Sequence, residues 1–282
     1  MRMLLVLGFA TIPVVACARS GTPQTTLPAA ARTEIGLATY VGDLRTIPLT
    51  IGNWTGKVLF DTGGGLNLVS PAVADSIGCT PVGRLTGFRY SGESIHAPGC
   101  GVRSLASLSY TRNTELAVFD LMALLGDAPP LDGLVGLPLF EGHVLTIDLA
   151  NNRLTVEDPR PDRPVPSNAR PLQMRASRQA GGAALDVFVA VRTPRGLIWL
   201  ELDSGNIGPV LLAPHAAEML GLTADADTPV PVRLDVVGLG TVELNAVVRD
   251  GIYDGLLNAE FFRRHLVTLD LDGIRAWATP AS

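Results

Sequence analysis

The stretch that decides the fold is Val58–Gly65, VLFDTGGG, in which an apolar run meets an acid, a small hydroxyl residue and then glycine. Such a run predicts a buried strand that turns sharply and holds the Asp61 carboxylate at the turn. A single Asp-Thr-Gly is equally typical of an ordinary Asx turn. The interpretation therefore depends on whether the pattern recurs.

The pattern does recur, and each copy is followed by a second matching block. Ile198–Gly205, IWLELDSG, places Asp203 142 residues after Asp61. The block Leu131–Gly136, LDGLVG, is matched by Tyr253–Asn258, YDGLLN. Two different motifs repeated in the same order are far less common by chance than one tripeptide.

From the second block onward the two copies run in register at an offset of 122 residues. His143–Leu149, HVLTIDL, corresponds to His265–Leu271, HLVTLDL. Such an internal duplication predicts two structurally related halves rather than one continuous domain.

With these paired motifs the chain resembles the aspartic proteases, in particular bacterial retropepsin-like and pepsin-like proteins with two fused lobes. The resemblance covers roughly residues 40–157 and 172–278. It implies an all-β fold of two homologous six-stranded β-barrel lobes, with a few short helices. The many short apolar runs between Gly and Pro also favour strands.

The resemblance further implies an aspartic endopeptidase in which Asp61 and Asp203 form the catalytic dyad. Two carboxyl groups held close together share one proton, so that one activates a water and the other polarises the peptide carbonyl. No cofactor is expected. In the family, hydroxyl residues at the positions of Thr62 and Ser204 tie the two loops together, and the glycines at 63 and 205 allow close approach of backbone amides.

Two positions depart from the family pattern. Gly64 replaces a hydroxyl residue that would donate to the dyad, which predicts that Asp61 holds the shared proton. Asn206, at the equivalent place in the second copy, can still donate a hydrogen bond. Asn258 replaces a glycine, and Asn tolerates left-handed backbone. These departures leave open an alternative function as a catalytically inactive lipoprotein that binds a peptide or protein.

The segment Phe88–Ile95 predicts a hairpin around Ser-Gly. A hairpin at this place in the family is the flap over the cleft, which makes Tyr90 and Gly92 candidates for its tip. An ordinary surface hairpin is the alternative.

Composition divides the chain into five segments. Residues 1–17 are typical of a signal peptide with a lipobox, and 18–34 of a flexible tether. Residues 35–158 and 172–282 are the predicted lobes, joined by a linker at 159–171 that contains five prolines.

The three cysteines have separate expected roles. Cys17 ends the sequence VVAC, which resembles the lipobox of bacterial lipoproteins, so we expect it to carry a lipid. Plain secretion is the alternative. Cys79 and Cys100 then remain as an even pair in an exported chain, which favours a disulfide over two buried thiols. The expected location is the bacterial cell envelope, anchored in the outer membrane and facing the periplasm, or secreted.

Charge and motifs exclude several other classes. A net charge of −5 without a basic stripe argues against nucleic acid, and membrane contact is expected only through the lipid anchor. The four histidines lack metal-ligand spacing. Neither a phosphate loop nor a serine-hydrolase elbow is present. The expected partner is a polypeptide in extended conformation, bound by a monomer.

Overall fold

The structure, a computed structural model, describes residues 31–160, 165–222 and 228–281. The predicted signal peptide and residues 18–30 of the predicted tether lie outside these residues.

The described residues form 21 strands, eleven of them in the first half of the chain: β1 Arg32–Gly36, β2 Ala38–Thr39, β3 Arg45–Ile51, β4 Trp54–Phe60, β5 Leu68–Val69, β6 Arg84–Phe88, β7 Ser94–Ser107, β8 Tyr110–Val118, β9 Gly133–Val135, β10 Val144–Asp148 and β11 Arg153–Glu157. The second half adds ten: β12 Arg170–Leu172, β13 Met174–Ser177, β14 Asp186–Thr193, β15 Gly196–Leu202, β16 Val210–Leu212, β17 Val230–Val236, β18 Gly240–Val248, β19 Gly255–Leu257, β20 His265–Asp270 and β21 Arg275–Pro280. The α-helices are short: α1 Pro71–Ser76, α2 Met122–Leu125, α3 Pro214–Met219 and α4 Ala259–Arg264. Single 3₁₀ turns occur at Leu137–Phe140 and Ala180–Gly182.

Each half closes into a six-stranded barrel. In the first lobe the strands follow the order β3-β4-β9-β5-β8-β7, and pairing of β3 with β7 closes the ring. In the second lobe the order β14-β15-β19-β16-β18-β17 is closed by pairing of β14 with β17. The predicted fold class, all-β with two related barrels and a few short helices, is therefore confirmed.

A third sheet joins the two lobes, in the order β1-β11-β10-β20-β21-β12. The duplicated strands β10 and β20 pair antiparallel at its centre, and the hydroxyls of Thr146 and Thr268 lie 3.0 Å apart. This sheet corrects two predicted boundaries. Residues 32–34, assigned to the tether, lie in β1, and residues 170–171, assigned to the linker, lie in β12. Pro171 is tolerated there because β12 is an edge strand.

The hairpins that precede the two Asp motifs have the same length and register. In β3–β4, Thr46 pairs with Leu59, and in β14–β15, Phe188 pairs with Glu201. Each residue of the second hairpin therefore corresponds to the residue 142 positions earlier, in the first hairpin. Positions on the two hairpins can be compared one to one.

The first lobe contains a capped helix and a disulfide. Helix α1 begins after Ser70, whose side chain accepts a hydrogen bond from Val73 N. It is followed by Gly78 at φ +62°, a left-handed position that favours glycine. The predicted disulfide between Cys79 and Cys100 is confirmed, with Cα atoms 5.4 Å apart. Across the described part of the chain, no helix is long and apolar enough to cross a membrane.

Candidate active site

Asp61 and Asp203 each follow directly on a central barrel strand, β4 and β15. Parallel pairing with β9 and β19 fixes these strand ends, and Asp61 N donates to Val135 O at 3.1 Å. The structure brings the two side chains together at the junction of the lobes, where Gly205 N donates to a carboxyl oxygen of each and the charge of Asp61 raises the pKa of Asp203.

The residues after the two acids lock the loops together. Thr62 Oγ1 donates to Leu202 O at 2.5 Å and accepts from Ser204 N at 2.9 Å. In the other direction, Thr62 N donates to Ser204 Oγ at 3.0 Å. Both side chains are buried. Each loop therefore completes the hydrogen bonding of the other, as expected from the sequence.

Gly63 and Gly205 occupy places where any side chain would strike the dyad. A Cβ atom on Gly63 would lie 2.5 Å from Asp203 Cγ, and one on Gly205 would meet the Asp61 carboxyl group. The absence of a side chain lets Gly205 N donate to both acids, at 3.1 Å to Asp61 Oδ1 and 2.8 Å to Asp203 Oδ1.

Each acid of the dyad accepts two backbone N–H groups. Asp61 Oδ1 accepts from Gly63 N and Gly205 N, and Asp203 Oδ1 accepts from Gly205 N and Asn206 N. Burial raises the pKa of both carboxyl groups, and the facing charge of Asp61 raises the pKa of Asp203 further. These pKa directions favour Asp203 as the protonated partner, whereas the sequence-based prediction gives the shared proton to Asp61.

The two departures noted in the sequence have structural reasons. A Cβ on Gly64 would lie 2.5 Å from Leu134 Cδ2, so a larger residue there requires the buried Leu134 side chain to move. Asn206 contributes only its backbone N–H to Asp203, at 3.1 Å. Its side chain instead bonds Pro209 O and Gly208 N, so the predicted side-chain donor is absent from the dyad.

Asn258 does not need left-handed backbone, contrary to the sequence-based argument. Its φ of −117° is extended, like the φ of −102° at its counterpart Gly136. The Asn258 side chain caps α4 by accepting from Phe261 N and also donates to Gly208 O at 2.7 Å. The substitution thus has a structural role, because it braces the second dyad loop.

The predicted flap hairpin is formed by β6 and β7, with Gly92 at φ +84° in its turn. Its tip contacts the opposite lobe. Tyr90 OH donates to Arg249 O at 3.2 Å, and Ile252 N donates to Tyr90 O at 2.9 Å. The Tyr90 ring packs on Gly251 so closely that a side chain there would collide with it. The hairpin thus crosses the cleft.

Under this hairpin lies a cavity of about 600 Å³ that contains both acids of the dyad. Its two walls differ in chemistry. The first lobe contributes apolar side chains, among them Leu66, Leu68 and Leu134. The second lobe contributes two further buried acids, Asp186 and Glu201, and the exposed Asp250.

Sequence reasoning missed Asp186 and Glu201. Glu201 lies on β15 two residues before Asp203, so that both side chains point to the same face of the sheet. Asp186 is the first residue of β14, the strand paired with β15. One signal was available: Glu201 and Asp203 are two residues apart, and side chains two residues apart on a strand lie on the same face. The sequence does not show, however, which face of the strand lines the cleft.

Burial sets the protonation of this second pair. Desolvation raises the pKa of Asp186 to about 6, opposed by the Gln179 side chain, which donates to its Oδ2 at 3.1 Å. Desolvation and the charge of Asp186 raise the pKa of Glu201. Tyr253 OH donates to Glu201 Oε2, and burial together with that carboxyl group raises the pKa of Tyr253. Tyr253 also packs edge-to-face on Tyr90, which joins this acid pair to the flap tip.

Within residues 31–160, 165–222 and 228–281, no group of three His, Cys, Asp or Glu side chains could hold a metal ion. One histidine has an acidic neighbour, since His215 Nε2 lies 2.8 Å from Asp254 Oδ1. Asp254 also accepts from Trp199 N, which marks the pair as a contact between strand β15 and helix α3.

Comparison with solved structures identifies the architecture. The chain is similar to an aspartic proteinase from Irpex lacteus, with a TM-score of 0.55 and 12% identity over 89% of this chain and 98% of that one. It is similar to the basic 7S globulin from soybean to the same extent, with a TM-score of 0.55 and 9% identity over 89% of this chain and 95% of that one. No protein-family model and no curated protein sequence matches the chain. The two barrel lobes therefore have the aspartic proteinase-like fold, while identities this low carry no conclusion about activity.

Proposed function

We propose that this protein is an aspartic endopeptidase in which Asp61 and Asp203 hydrolyse peptide bonds with an activated water. One observation carries the proposal: two carboxyl groups, one from each lobe, accept from the same backbone N–H of Gly205 and lie in a cavity covered by a hairpin. A pair of acids that shares one proton at a lobe junction has no structural purpose that apolar residues would not serve better.

The two acids have different roles in the proposed reaction. The ionised Asp61 takes a proton from the attacking water, while the protonated Asp203 donates a hydrogen bond to the carbonyl oxygen of the substrate. Attack of the water oxygen on the carbonyl carbon gives a tetrahedral intermediate. Asp61 then passes the proton it took from the water to the leaving nitrogen as the C–N bond breaks, which gives a carboxyl and an amino product and leaves Asp61 ionised again. The backbone N–H groups of Gly63 and Gly205 hold the carboxyl groups in place, which avoids reorganisation during the reaction.

An extended polypeptide is the proposed substrate. The cleft lies between the strand ends of the two lobes and under the flap. Backbone groups of the flap and of these strand ends can hydrogen bond to an extended peptide. The hydrogen bonds from Tyr90 and Ile252 close this path in the structure. Substrate entry therefore requires the flap tip to leave Arg249–Tyr253.

The closed flap also favours the second candidate function, a catalytically inactive protein that binds a peptide or partner in the same cleft. The two functions are separated by incubating purified protein with unfolded casein from about pH 3 to pH 7 and analysing the fragments by mass spectrometry. We expect cleavage below neutral pH, inhibition by a statine-containing peptide, and no effect of chelators or serine reagents. A folded protein that produces no fragments at any pH, yet binds the statine peptide, would have the second function.

We further propose that the chain is a lipoprotein of the bacterial envelope, anchored through Cys17 and acting as a monomer. The support is the VVAC sequence that ends the apolar segment. Changing Cys17 to Ser should move the protein from the membrane fraction to the soluble envelope fraction. An unchanged membrane fraction would contradict the anchor.

A further inference from the structure

The cleft wall of the second lobe carries two acids where the first lobe carries leucines. At the 142-residue offset, Asp186 corresponds to Leu44 and Glu201 to Leu59. Leu44 and Leu59 belong to an apolar cluster with Leu66, Leu68 and Leu134. The acids are therefore additions to one copy of a duplicated unit, and the barrel framework is built without them in the other copy.

Each of these acids has one oxygen without a hydrogen-bond donor. Asp186 and Glu201 are only 4% and 2% exposed, and both line the cavity. Gln179 donates to Asp186 Oδ2 and Tyr253 to Glu201 Oε2. No group in the described residues donates to Asp186 Oδ1 or Glu201 Oε1. Neither oxygen is itself buried without a partner, since among the described residues only Arg112 Nε is. Both oxygens therefore reach the cavity, where water or a ligand can donate to them.

No protein cation neutralises the pair. Among the described residues neither acid takes part in a salt bridge, although both other buried acids do, Asp148 with Arg153 and Asp270 with Arg275. The charges that raise the pKa of Glu201 are those of Asp186 and the two dyad acids. The lining of the cavity has an excess of acids, since Asp61, Asp186, Glu201, Asp203 and Asp250 outnumber Arg89 and Arg249, and this excess favours a cation from outside.

We propose that Asp186 and Glu201 form a subsite that binds a Lys or Arg side chain of the substrate next to the scissile bond. The proposal rests on the proposed endopeptidase function and names its substrate class. A Lys ammonium or Arg guanidinium supplies N–H donors for both free oxygens in charge-assisted hydrogen bonds. Glu201 is two strand residues from Asp203, about 7 Å along β15, which places the subsite beside the reacting peptide bond. The apolar wall of the first lobe then receives an apolar side chain.

The test compares peptides that differ only by Lys or norleucine, placed in turn on each side of the cleaved bond. Norleucine keeps the length of the Lys side chain but lacks its ammonium group. We expect wild-type kcat/KM to favour Lys at one of the two positions by about 10-fold to 100-fold, the size of one or two hydrogen bonds to a charged group. The Asp186→Asn and Glu201→Gln variants should each lower that ratio, and the double variant should bring it near one.

Glu218→Gln is the matched control, because Glu218 is an exposed carboxylate on α3 outside the cavity. It should leave the Lys-to-norleucine ratio unchanged. Cleavage without a Lys preference, or a preference that survives in the double variant, would overturn the subsite while leaving the endopeptidase function intact.

A binding measurement separates the two proposals if cleavage fails. Calorimetry on Asp203→Asn should still show tighter binding of the Lys peptide than of the norleucine peptide, since Asp186 and Glu201 are retained. Equal affinities would overturn the subsite. Tighter binding of the Lys peptide by a wild-type protein that cleaves nothing would keep the subsite and overturn the endopeptidase function.

Discussion

The two lobes share a barrel and an Asp loop, yet the walls that they contribute to the cleft beside that loop differ. The first lobe supplies an apolar wall, a disulfide and the hairpin with Tyr90 at its tip. The second lobe supplies the acids Asp186 and Glu201 and the short loop to which that hairpin is bonded. The duplicated framework is therefore kept where the loops interlock, and it has diverged where side chains can select a ligand.

The hairpin at residues 235–244 illustrates the same difference. In the structure β17 and β18 both belong to the closed barrel, and β17 pairs with β14 as β7 pairs with β3. It is therefore barrel sheet, and the cleft is covered by the first lobe's hairpin alone within the described residues.

The largest expected effect comes from giving the first lobe the chemistry of the second. Leu59→Glu places an acid in the apolar cluster, where no tyrosine corresponds to Tyr253. We expect the free energy of unfolding to fall by about 3 kcal/mol or more, because the new carboxyl group is buried without a partner. Urea unfolding measures the change.

Glu201→Leu is the reciprocal variant for that comparison. It removes a buried carboxyl group but leaves the Tyr253 hydroxyl without an acceptor. Because these two effects oppose each other, the free energy of unfolding should change by only about 1 kcal/mol. Equal destabilisation by the two variants would show that the lobes do not differ in this respect.

The disulfide is a second difference between the lobes. Replacing both Cys79 and Cys100 by Ala should lower the free energy of unfolding by about 2–4 kcal/mol, because the unfolded chain loses a cross-link between residues 21 apart. Thermal unfolding with and without a reducing agent measures the effect. The reductant should destabilise the wild type and leave the double variant unaffected, and a wild type insensitive to reduction would contradict the prediction.

Asp186 makes stability depend on pH in an unusual direction. Its pKa rises from 3.8 to about 6 on folding, so the folded state binds more protons between these values than the unfolded state. Its contribution is complete below about pH 4 and is lost as the pH rises through about 6, up to about 3 kcal/mol in all.

The measurement is the free energy of unfolding of wild type and Asp186→Asn across pH 4 to 7. Because Asn does not titrate, the wild type should lose stability relative to the variant as the pH rises. A constant difference between the two proteins would show that the Asp186 carboxyl group is not desolvated.

The smallest effect concerns the flap contact. Tyr90→Phe removes the hydrogen bond to Arg249 O and should weaken flap closure by about 1 kcal/mol, roughly fivefold in the equilibrium. Faster hydrogen exchange in residues 88–95 is the readout. Tyr40→Phe is the control, since it removes a similar bond to Pro129 O outside the flap. Equal exchange rates in all three proteins would show that Tyr90 does not hold the hairpin.

The sequence predicted those parts of the fold and site that short motifs determine. Asp61 and Asp203 were found because their strand-turn motif is local and occurs twice, and the barrels followed from the same duplication. Which acid holds the shared proton stays a prediction, because burial and the facing charge decide it and a sequence pattern shows neither. Asp186 and Glu201 were missed because strand register decides which side chains face the cleft. The contact of Tyr90 with Gly251 joins residues from different lobes, so no local pattern reports it.

Cleavage of one fluorogenic peptide by wild type, Asp61→Asn and Asp203→Asn tests the central claim, that the two lobes share a single catalytic pair. Both substitutions preserve side-chain size, and circular dichroism checks that each variant is folded. Either change removes the proton-sharing carboxyl pair, so we expect kcat/KM to fall by at least about 10³-fold in each variant. Activity that survives in either folded variant would contradict the account.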